Sequence, residues 1–407
     1  EVPGTILYAE ADVSTAPIFP HETGRAGPPQ ASDAQLEAAA QKLAGARTPA
    51  IFAGTGVDRA WANTALIALA EQLGCPVIPS LAGRSVIPHD HPLCFLSQSP
   101  AADELRRKAD VLLVVGSRVG NLDVPFDKYW GEAAGREVIQ IDVDPRHIGV
   151  SRPVTLGIVA DARTTLEGLA RKLQGRAIAS HGRDDLPTLR ATYGAWVQAL
   201  HDQVAAWGGP GIHPAQACAA VGEAFGRDAV YTADGGMTSL WTSMALPSTR
   251  PSSYHSIFEL GMLGTGIPSA IGAKLGARDR EVVCVTGDGA AGFNVMELQV
   301  AAREGIKVTV VVMAEGEWTM EIPNEMARYG QTFGTKIGDV RWDIVAQGLG
   351  CHGELVQSIA ELPAALERAR HSDRPALVCV RTSTEANLAV PQEIVGRFFE
   401  VYFGPAA

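Results

Sequence analysis

Short apolar runs that stop at glycine alternate along this chain with segments whose apolar residues recur at helical spacing. Residues 282–285 form a β-branched apolar run, typical of a buried strand, and Gly287 and Gly289 follow it. Residues 294–303 carry apolar side chains at helical spacing, so we expect a helix that starts near residue 292. Residues 308–313 are a second apolar run. The pattern predicts a strand, a tight glycine turn, a helix and a second strand in succession.

The first half of the chain repeats this alternation. Residues 61–73 predict an apolar helix that ends at Gly74. Apolar runs predict four strands, at 48–56, 75–79, 109–117 and 137–144. Strands that alternate with helices are typical of a doubly wound parallel sheet. We therefore predict an α/β protein with two doubly wound parallel-sheet domains.

Breaks in composition divide the chain into four segments. Residues 14–32 are rich in proline and glycine, and Gly208-Gly-Pro-Gly211 is a strong break. Residues 186–207 predict a linking helix, and Pro214 fits the first turn of the helix after the break. The predicted boundaries are a first segment with a linker at 1–30, a central domain at 31–175, a linker helix segment at 176–210, and a last domain at 211–407.

Composition narrows the classes of partner and location. The chain has 407 residues, enough for two domains, of which 46% are hydrophobic and 19% charged. Its net charge of −11 argues against a nucleic-acid partner. No apolar run reaches the length that a membrane requires, and the first residues do not resemble a signal peptide. The 6 cysteines form no CxxC pair, which favours buried free thiols and a cytoplasmic protein.

Asp288 is the first candidate for chemistry, because it follows a predicted strand and precedes a predicted helix. A helix N-terminus favours an anionic phosphate, and a carboxylate favours a divalent cation. The pattern therefore predicts a phosphate and a metal at this turn. The alternative is that Asp288 only caps the helix.

The segment that begins at Gly287 resembles the thiamine diphosphate motif, in which Gly-Asp-Gly is followed, after a helix and a strand, by two asparagines. In that family the aspartate, the second asparagine and a backbone carbonyl two residues later hold the Mg²⁺ that bridges to the diphosphate. This chain keeps the spacing but has Ala314 and Glu315 at the asparagine pair. The resemblance implies Asp288, Glu315 and the backbone carbonyl of Glu317 as metal ligands. Glutamate offers a hard oxygen ligand, yet it adds a negative charge beside the diphosphate. The alternative is a solvated loop carboxylate at Glu315.

Two further loops extend the resemblance. Ala233-Asp-Gly-Gly236 is similar to the family's first phosphate-side loop, and residues 260–273 resemble its glycine-rich loop and following helix. Leu263 lies where the family has the apolar residue that props the cofactor in a V shape, unless it is ordinary core. Residues 211–407 thus resemble the diphosphate-binding domain of the acetolactate synthase and benzoylformate decarboxylase group. The implied cofactor-binding residues are Asp234, Gly235, Gly236, Gly261, Met262, Leu263, Gly287, Asp288, Gly289, Ala290, Ala291, Glu315 and Gly316.

Residues 48–144 resemble the central domain of the same family, which in some members binds FAD. Gly54-Thr-Gly56 is a weak indication of a nucleotide, because the third glycine of a dinucleotide fingerprint is absent. The pattern therefore does not favour a bound FAD. Asp142 and Asp144 stand at a predicted strand end, where they fit either a ribose contact or a turn, and we favour the turn.

The family's activating glutamate lies on a pyrimidine-binding domain of about 150–180 residues that precedes the central domain. Residues 1–13 resemble the last strand of that domain, so we expect this chain to lack the glutamate and assign no catalytic residue. Glu259, near the glycine-rich loop, is better explained as a structural carboxylate. We expect a fragment, a processed chain or one half of a two-chain enzyme, inactive by itself.

The resemblance implies a thiamine diphosphate- and Mg²⁺-dependent decarboxylase or carboligase that acts on a 2-keto acid, similar to acetolactate synthase. Trp318, Met320 and Glu321 follow the metal loop, where family members place substrate-contacting residues. The implied partners are a pyrimidine-binding domain, in cis or in trans, and further copies of the chain in a homodimer or homotetramer. The alternative is a degenerate, non-catalytic binding or regulatory protein, marked by Ala290 and Glu315. An unrelated nucleotide-binding protein is disfavoured by residues 211–407.

Overall fold

The computed structural model describes residues 3–10, 12, 14, 27–125, 127–131, 135–182, 184–257 and 261–389. Within these residues, two parallel sheets form two α/β domains, as the hydrophobic pattern predicts. The strands are β1 (Ala50–Ala53), β2 (Val77–Pro79), β3 (Val111–Val115), β4 (Glu137–Asp142), β5 (Leu156–Val159), β6 (Val230–Asp234), β7 (Tyr254–Ser256), β8 (Val282–Gly287), β9 (Thr309–Ala314), β10 (His352–Val356) and β11 (Ala376–Arg381).

Helices cover both faces of each sheet. They are α1 (Gly4–Leu7), α2 (Asp33–Gly45), α3 (Gly56–Arg59), α4 (Asn63–Leu73), α5 (Pro100–Lys108), α6 (Asp127–Trp130), α7 (Ala162–Leu173), α8 (Leu186–Ala205), α9 (Pro214–Phe225), α10 (Gly236–Ala245), α11 (Gly266–Gly276), α12 (Asp288–Asn294), α13 (Glu297–Arg303), α14 (Glu321–Tyr329), α15 (Trp342–Gly348), α16 (Leu362–His371) and α17 (Thr384–Leu388). None of these described helices is both long and apolar enough to cross a membrane.

The central sheet has the order β2-β1-β3-β4-β5, and its paired strands are all parallel. Strands β1 and β3 are buried along their whole length, as expected for a parallel sheet with both faces covered. The chain leaves β1 toward one edge of the sheet and leaves β3 toward the other. The direction of winding therefore reverses between β1 and β3, which is the topological switch point of this domain.

The C-terminal sheet has the order β10-β11-β9-β8-β6-β7, again with parallel pairs throughout. Its switch point lies between β6 and β8, because the chain runs from β6 to the edge strand β7 and from β8 toward β9. Ligands of open α/β sheets bind at the carboxyl ends of the strands at such a point. Here those ends carry Asp234 on β6 and Gly287 on β8.

The two domains are joined by polar contacts and by the long helix α8. Arg84 of the central domain donates its Nε hydrogen to the Ser243 carbonyl at 2.8 Å, and the Ser248 hydroxyl donates to the Arg84 carbonyl at 3.1 Å. Tyr193 of α8 is buried against the central core, while Leu200 packs against the C-terminal core. The central and C-terminal domains are therefore in direct contact.

The helix after β8 differs from the expected one. It begins at Asp288, directly after the strand, and is divided into α12 and α13. Gly287 has a φ of −72°, so this turn needs no left-handed residue. An acidic residue in the first helical turn interacts favourably with the helix dipole, which favours this early start.

The predicted strand in the first residues is wrong in the part that the structure describes. Gly4–Leu7 forms the one-turn helix α1, with no buried residue. Extended residues need a neighbouring strand for their amides and carbonyls, whereas a helical turn pairs them locally. Here Ile6 N donates to the Pro3 carbonyl at 2.9 Å.

Candidate functional site

A cavity of about 150 Å³ opens at the carboxyl ends of β6 and β8, at the switch point of the C-terminal sheet. It is lined by all but three of the thirteen predicted cofactor residues, namely Gly235, Gly236, Gly261, Met262, Leu263, Gly287, Asp288, Gly289, Ala290 and Glu315. The structure therefore brings together three predicted loops that lie far apart in the chain.

The other three predicted residues stand behind the cavity wall. Asp234 accepts hydrogen bonds from Gly235 N at 2.7 Å and from Gly266 N at 2.6 Å, so both carboxylate oxygens bind backbone. Burial raises the pKa of Asp234. Its carboxylate ties β6 to the start of α11 and does not line the cavity, so a contact between Asp234 and a cofactor stays a prediction. Ala291 is buried in the core, and Gly316 donates its amide to Asp288.

Leu122, Thr238 and Ile257 also line the cavity, and the sequence did not single them out. Leu122 comes from the central domain, more than a hundred residues before the other lining residues, and no local pattern marks it. The sequence marks Thr238 only weakly, as a hydroxyl residue that follows a glycine pair at the start of a helix. A Cβ on Gly287 would lie 3.1 Å from the Thr238 hydroxyl oxygen, so glycine lets these loops approach closely.

The N-terminus of α10 opens onto the cavity. Gly235 precedes the helix with a φ of +96°, a left-handed conformation that favours glycine. Gly236 and Met237 of the first turn line the cavity, where a helix carries unpaired amides and partial positive charge. This end of the site suits an anionic group such as a diphosphate.

Asp288 connects the first helical turn to the loop after β9. Its side chain accepts a hydrogen bond from Gly289 N at 2.8 Å and another from Gly316 N at 2.6 Å. The residue is only 4% exposed, and burial raises its pKa. Gly287, not Asp288, is the N-cap residue. Helix capping alone therefore does not explain this carboxylate.

Glu315 is half-buried, and one oxygen of its carboxylate is enclosed. Its Oε1 accepts a hydrogen bond from Asn387 Nδ2 at 2.7 Å. The buried Oε2 accepts no hydrogen bond from the described residues, although the Thr319 hydroxyl lies close enough to the carboxylate to lower its pKa in part. Burial, and then the nearby charge of Asp288, raise the pKa of Glu315 to about 8. The alternative of a solvated loop carboxylate is therefore wrong.

These side chains fit a divalent cation. Two neighbouring carboxylates repel each other, and a cation between them would relieve that repulsion. The free Oε2 of Glu315 is a hard ligand without a partner in the described part of the chain. That part holds no cluster of three His, Cys, Asp or Glu side chains, so a site here would rely on two carboxylates and on a backbone carbonyl such as that of Glu317.

Two side chains of the loop after β9 reach across the cavity to its glycines. A Cβ on Gly289 would lie 2.3 Å from the Trp318 ring, and one on Gly236 would lie 2.9 Å from Met320. Phe293 meets the Trp318 ring edge to face, with 6.5 Å between centroids. Trp318, Met320 and Glu321, which the sequence placed near the substrate, all line the cavity. Glu259 lies outside the described residues.

The acidic pair of the central domain builds a turn, as favoured. Asp144 accepts a hydrogen bond from Arg146 N at 2.9 Å and caps a short 3₁₀ helix at Pro145–His147. Asp142 accepts a hydrogen bond from Asp144 N at 2.9 Å. Both carboxylates thus have local backbone partners.

A switch-point cavity with a helix N-terminus at one end and a carboxylate pair at the other is typical of an α/β domain that binds an anionic ligand, here beside a second doubly wound domain. The family model of the thiamine pyrophosphate enzyme central domain matches residues 36–169, and that of the C-terminal TPP-binding domain matches residues 234–380. The chain belongs to the thiamine pyrophosphate (thiamine diphosphate) enzyme family and contains these two domains.

Several curated proteins are similar to this chain. It is 33% identical to a sulfoacetaldehyde acetyltransferase of Rhodobacter capsulatus, in an alignment that covers 84% of this chain and 62% of the relative. It is also 33% identical to an acetolactate synthase large subunit of Mycobacterium tuberculosis, over 90% of this chain and 64% of the relative. A sulfoacetaldehyde acetyltransferase of Castellaniella defragrans is 29% identical, over 82% and 60%. The chain thus spans less than two thirds of the length of these relatives.

Proposed function

We propose that this chain is the central and diphosphate-binding portion of a thiamine diphosphate- and Mg²⁺-dependent enzyme that acts on a 2-keto acid in the manner of acetolactate synthase. The observation that carries the proposal is the carboxylate pair of Asp288 and Glu315 at the switch-point cavity, with a free oxygen on Glu315. The similarity to acetolactate synthases and sulfoacetaldehyde acetyltransferases supports the same class.

In this proposal the chain binds and orients the cofactor. The first turn of α10 receives the diphosphate, while Asp288, Glu315 and the backbone carbonyl of Glu317 hold the metal. Leu263, half-buried at the cavity wall, supports the bend of the cofactor. When bound, thiamine diphosphate supplies an electron sink for the bond that breaks in the substrate. Trp318 limits the access of water to the cavity.

The alternative is a non-catalytic binding protein. Two features of this chain favour it: Ala290 offers no hydroxyl to a phosphate, and Glu315 adds a negative charge near one. A metal bound by both carboxylates would neutralise this added negative charge. The two functions therefore differ in whether the bound cofactor supports catalysis.

We further propose that the active protein contains a second copy of this chain and a pyrimidine-binding domain, in cis or in trans. The rim of the cavity exposes apolar side chains, with Ile257 44%, Met262 51% and Phe293 60% exposed. Apolar groups around a site are typical of a protein interface. Analytical ultracentrifugation is expected to give a dimer or tetramer, and a monodisperse monomer would contradict this part of the proposal.

The central test is calorimetric titration of the chain with thiamine diphosphate, with Mg²⁺ and with a chelator. Binding is expected only with Mg²⁺. Asp288→Asn keeps the shape but removes the charge, and should weaken Mg²⁺-dependent binding by at least about 100-fold, the upper range for residues that merely support ligands. Asp142→Asn, at a strand end of the central domain, is the matched control and should bind as the wild type does.

Catalysis separates the two functions. We expect no decarboxylation of pyruvate by the chain alone, and activity after a family pyrimidine-binding domain is added in trans. Metal-independent binding of the cofactor, or full affinity in Asp288→Asn, would contradict the proposed site. Tight Mg²⁺-dependent binding without activity in the presence of the added domain would favour the non-catalytic alternative.

A further inference from the structure

Behind the candidate metal loop lies a buried hydrogen-bond chain that joins three elements. Trp241 of α10 donates its Nε1 hydrogen to Asn387 Oδ1 at 2.7 Å. Asn387 of α17 donates from Nδ2 to Glu315 Oε1 at 2.7 Å. Trp241 is 0% exposed and Asn387 is 1% exposed, so water does not compete for these bonds.

The chemistry of the three side chains fixes which atom donates and which atom accepts in each of these hydrogen bonds. An indole N–H is only a donor, so the oxygen of the Asn387 amide must face Trp241. The amide NH₂ then faces Glu315, and it requires an acceptor at Oε1. Oε2, which accepts no hydrogen bond from the described residues, is therefore the Glu315 oxygen better placed to take a cation.

A glutamate at this position depends on the hydrogen bond from Asn387 more than the asparagine of the family motif would. Its side chain is one methylene longer, and that extra rotatable bond costs conformational entropy when the carboxylate is fixed. Asn387 is itself well held, because α17 is capped by the Ser383 hydroxyl, which accepts a hydrogen bond from Ala386 N at 3.2 Å. Trp241 is packed edge to face against His213, with 4.9 Å between ring centroids.

We propose that Asn387, supported by Trp241, is a positioning residue that binds Glu315 Oε1 and so presents Oε2 to the divalent cation; this inference rests on the proposed function. Asn387 does not line the cavity. It acts by fixing the rotamer of a ligand, as the groups behind metal ligands commonly do. It compensates for the replacement of the family's asparagine by Glu315.

The test measures metal affinity apart from activity. Mn²⁺ binding, followed by the EPR signal of free Mn²⁺ in the presence of thiamine diphosphate, is compared across variants. Asn387→Leu keeps the approximate volume but removes the donor, and should weaken Mn²⁺ binding about 10- to 100-fold. Trp241→Phe removes the indole N–H that holds Asn387, although it also leaves a small cavity in the core, and should weaken Mn²⁺ binding less than Asn387→Leu does. It also keeps the proposal testable if Asn387→Leu does not fold.

A matched control separates positioning from simple destabilisation of α17. Ser383→Ala removes the cap of the same helix and should lower the melting temperature of the protein. It should leave Mn²⁺ affinity within about twofold of wild type. In a Glu315→Asn background the shorter side chain does not depend on Asn387, so Asn387→Leu should have no further effect on Mn²⁺ affinity. A structural role alone would give equal losses in both backgrounds.

The outcomes distinguish this inference from the proposed function. A wild-type chain that binds no metal with the cofactor would overturn both. Wild-type binding that is retained in Asn387→Leu, or lost to the same extent in Ser383→Ala, would overturn only the positioning role. Loss in Asn387→Leu and Trp241→Phe, together with retention in Ser383→Ala, would support it.

Discussion

The two switch points of this molecule are built on the same glycine-ended strands but differ in what fills them. In the central domain, a Cβ on Gly54 would lie 2.3 Å from the carbonyl oxygen of Gly116, so backbone packs on backbone between β1 and β3. In the C-terminal domain, the loops after β6 and β8 instead border a cavity lined by Asp288 and Glu315. One crevice is closed by main chain, and the other borders a cavity lined by carboxylates.

The difference shows why a glycine pair after a strand is ambiguous in sequence. Glycine permits close approach of any group, whether a phosphate or a neighbouring chain segment. Gly54 and Gly56 both contact Gly116, and this packing explains them without a nucleotide. The argument for FAD that rests on these glycines therefore loses its force. What distinguishes the C-terminal site is the carboxylate at Asp288.

The largest expected effect is on stability, at the central-domain crevice between β1 and β3. Gly54→Ala places a methyl group against backbone that cannot rotate away, and should lower the free energy of unfolding by about 3 kcal/mol or more. Equilibrium urea unfolding measures it. Gly120→Ala is the matched control, because a Cβ there meets nothing within 4 Å, and its effect should stay within about 0.5 kcal/mol. Equal stabilities for the two variants would show that the central crevice is open.

The second expected effect is on His213, a buried polar residue of the C-terminal domain that has a structural role. His213 is 1% exposed and caps α9, with its Nδ1 accepting a hydrogen bond from Ala215 N at 3.0 Å. Burial lowers its pKa to about 4, below the ordinary value of 6.5. As the pH falls from 6.5 toward 4, the unfolded chain takes up a proton that the folded chain excludes. Stability should therefore fall by up to about 1.4 kcal/mol per pH unit in that window.

His213→Asn is the control, since asparagine is a good N-cap that does not titrate there. Urea unfolding at pH 7 and pH 5 should show a smaller difference in the variant than in the wild type, by about 2 kcal/mol. The same pH dependence in both proteins would assign the effect to other groups.

The sequence predicted the two-sheet architecture and most of the cavity, because buried parallel strands and glycine loops leave local patterns. Strand β8 was visible as an uninterrupted apolar run, most of it β-branched. The division into α12 and α13 was not, since Val295 and Leu298 continue the apolar period across it. No sequence pattern pointed to Asn387 either. It is 72 residues from Glu315, and only the return of the chain after β11 brings them together.

The smallest expected effect is at the open crevice, where a glycine faces a side chain instead of backbone. Gly289→Ala forces the Trp318 ring to move, since the new Cβ would lie 2.3 Å from it. The ring can rotate, and alanine is favoured over glycine in a helix by about 1 kcal/mol, so stability should change little. The displaced indole narrows the cavity, and cofactor affinity should fall about tenfold, or about 1.4 kcal/mol.

Phenylalanine at position 318 has a smaller ring, so in a Trp318→Phe background Gly289→Ala should cost little affinity and retain its gain in helix propensity. Gly292→Ala, on the same helix, is the control, because its Cβ would meet Trp342 only at 3.6 Å, an ordinary contact. Calorimetric titration with thiamine diphosphate and Mg²⁺ measures each affinity. An undiminished loss in the Trp318→Phe background would mean that the methyl group itself obstructs the diphosphate. The open crevice would then resemble the closed one, with main chain in direct contact with its occupant.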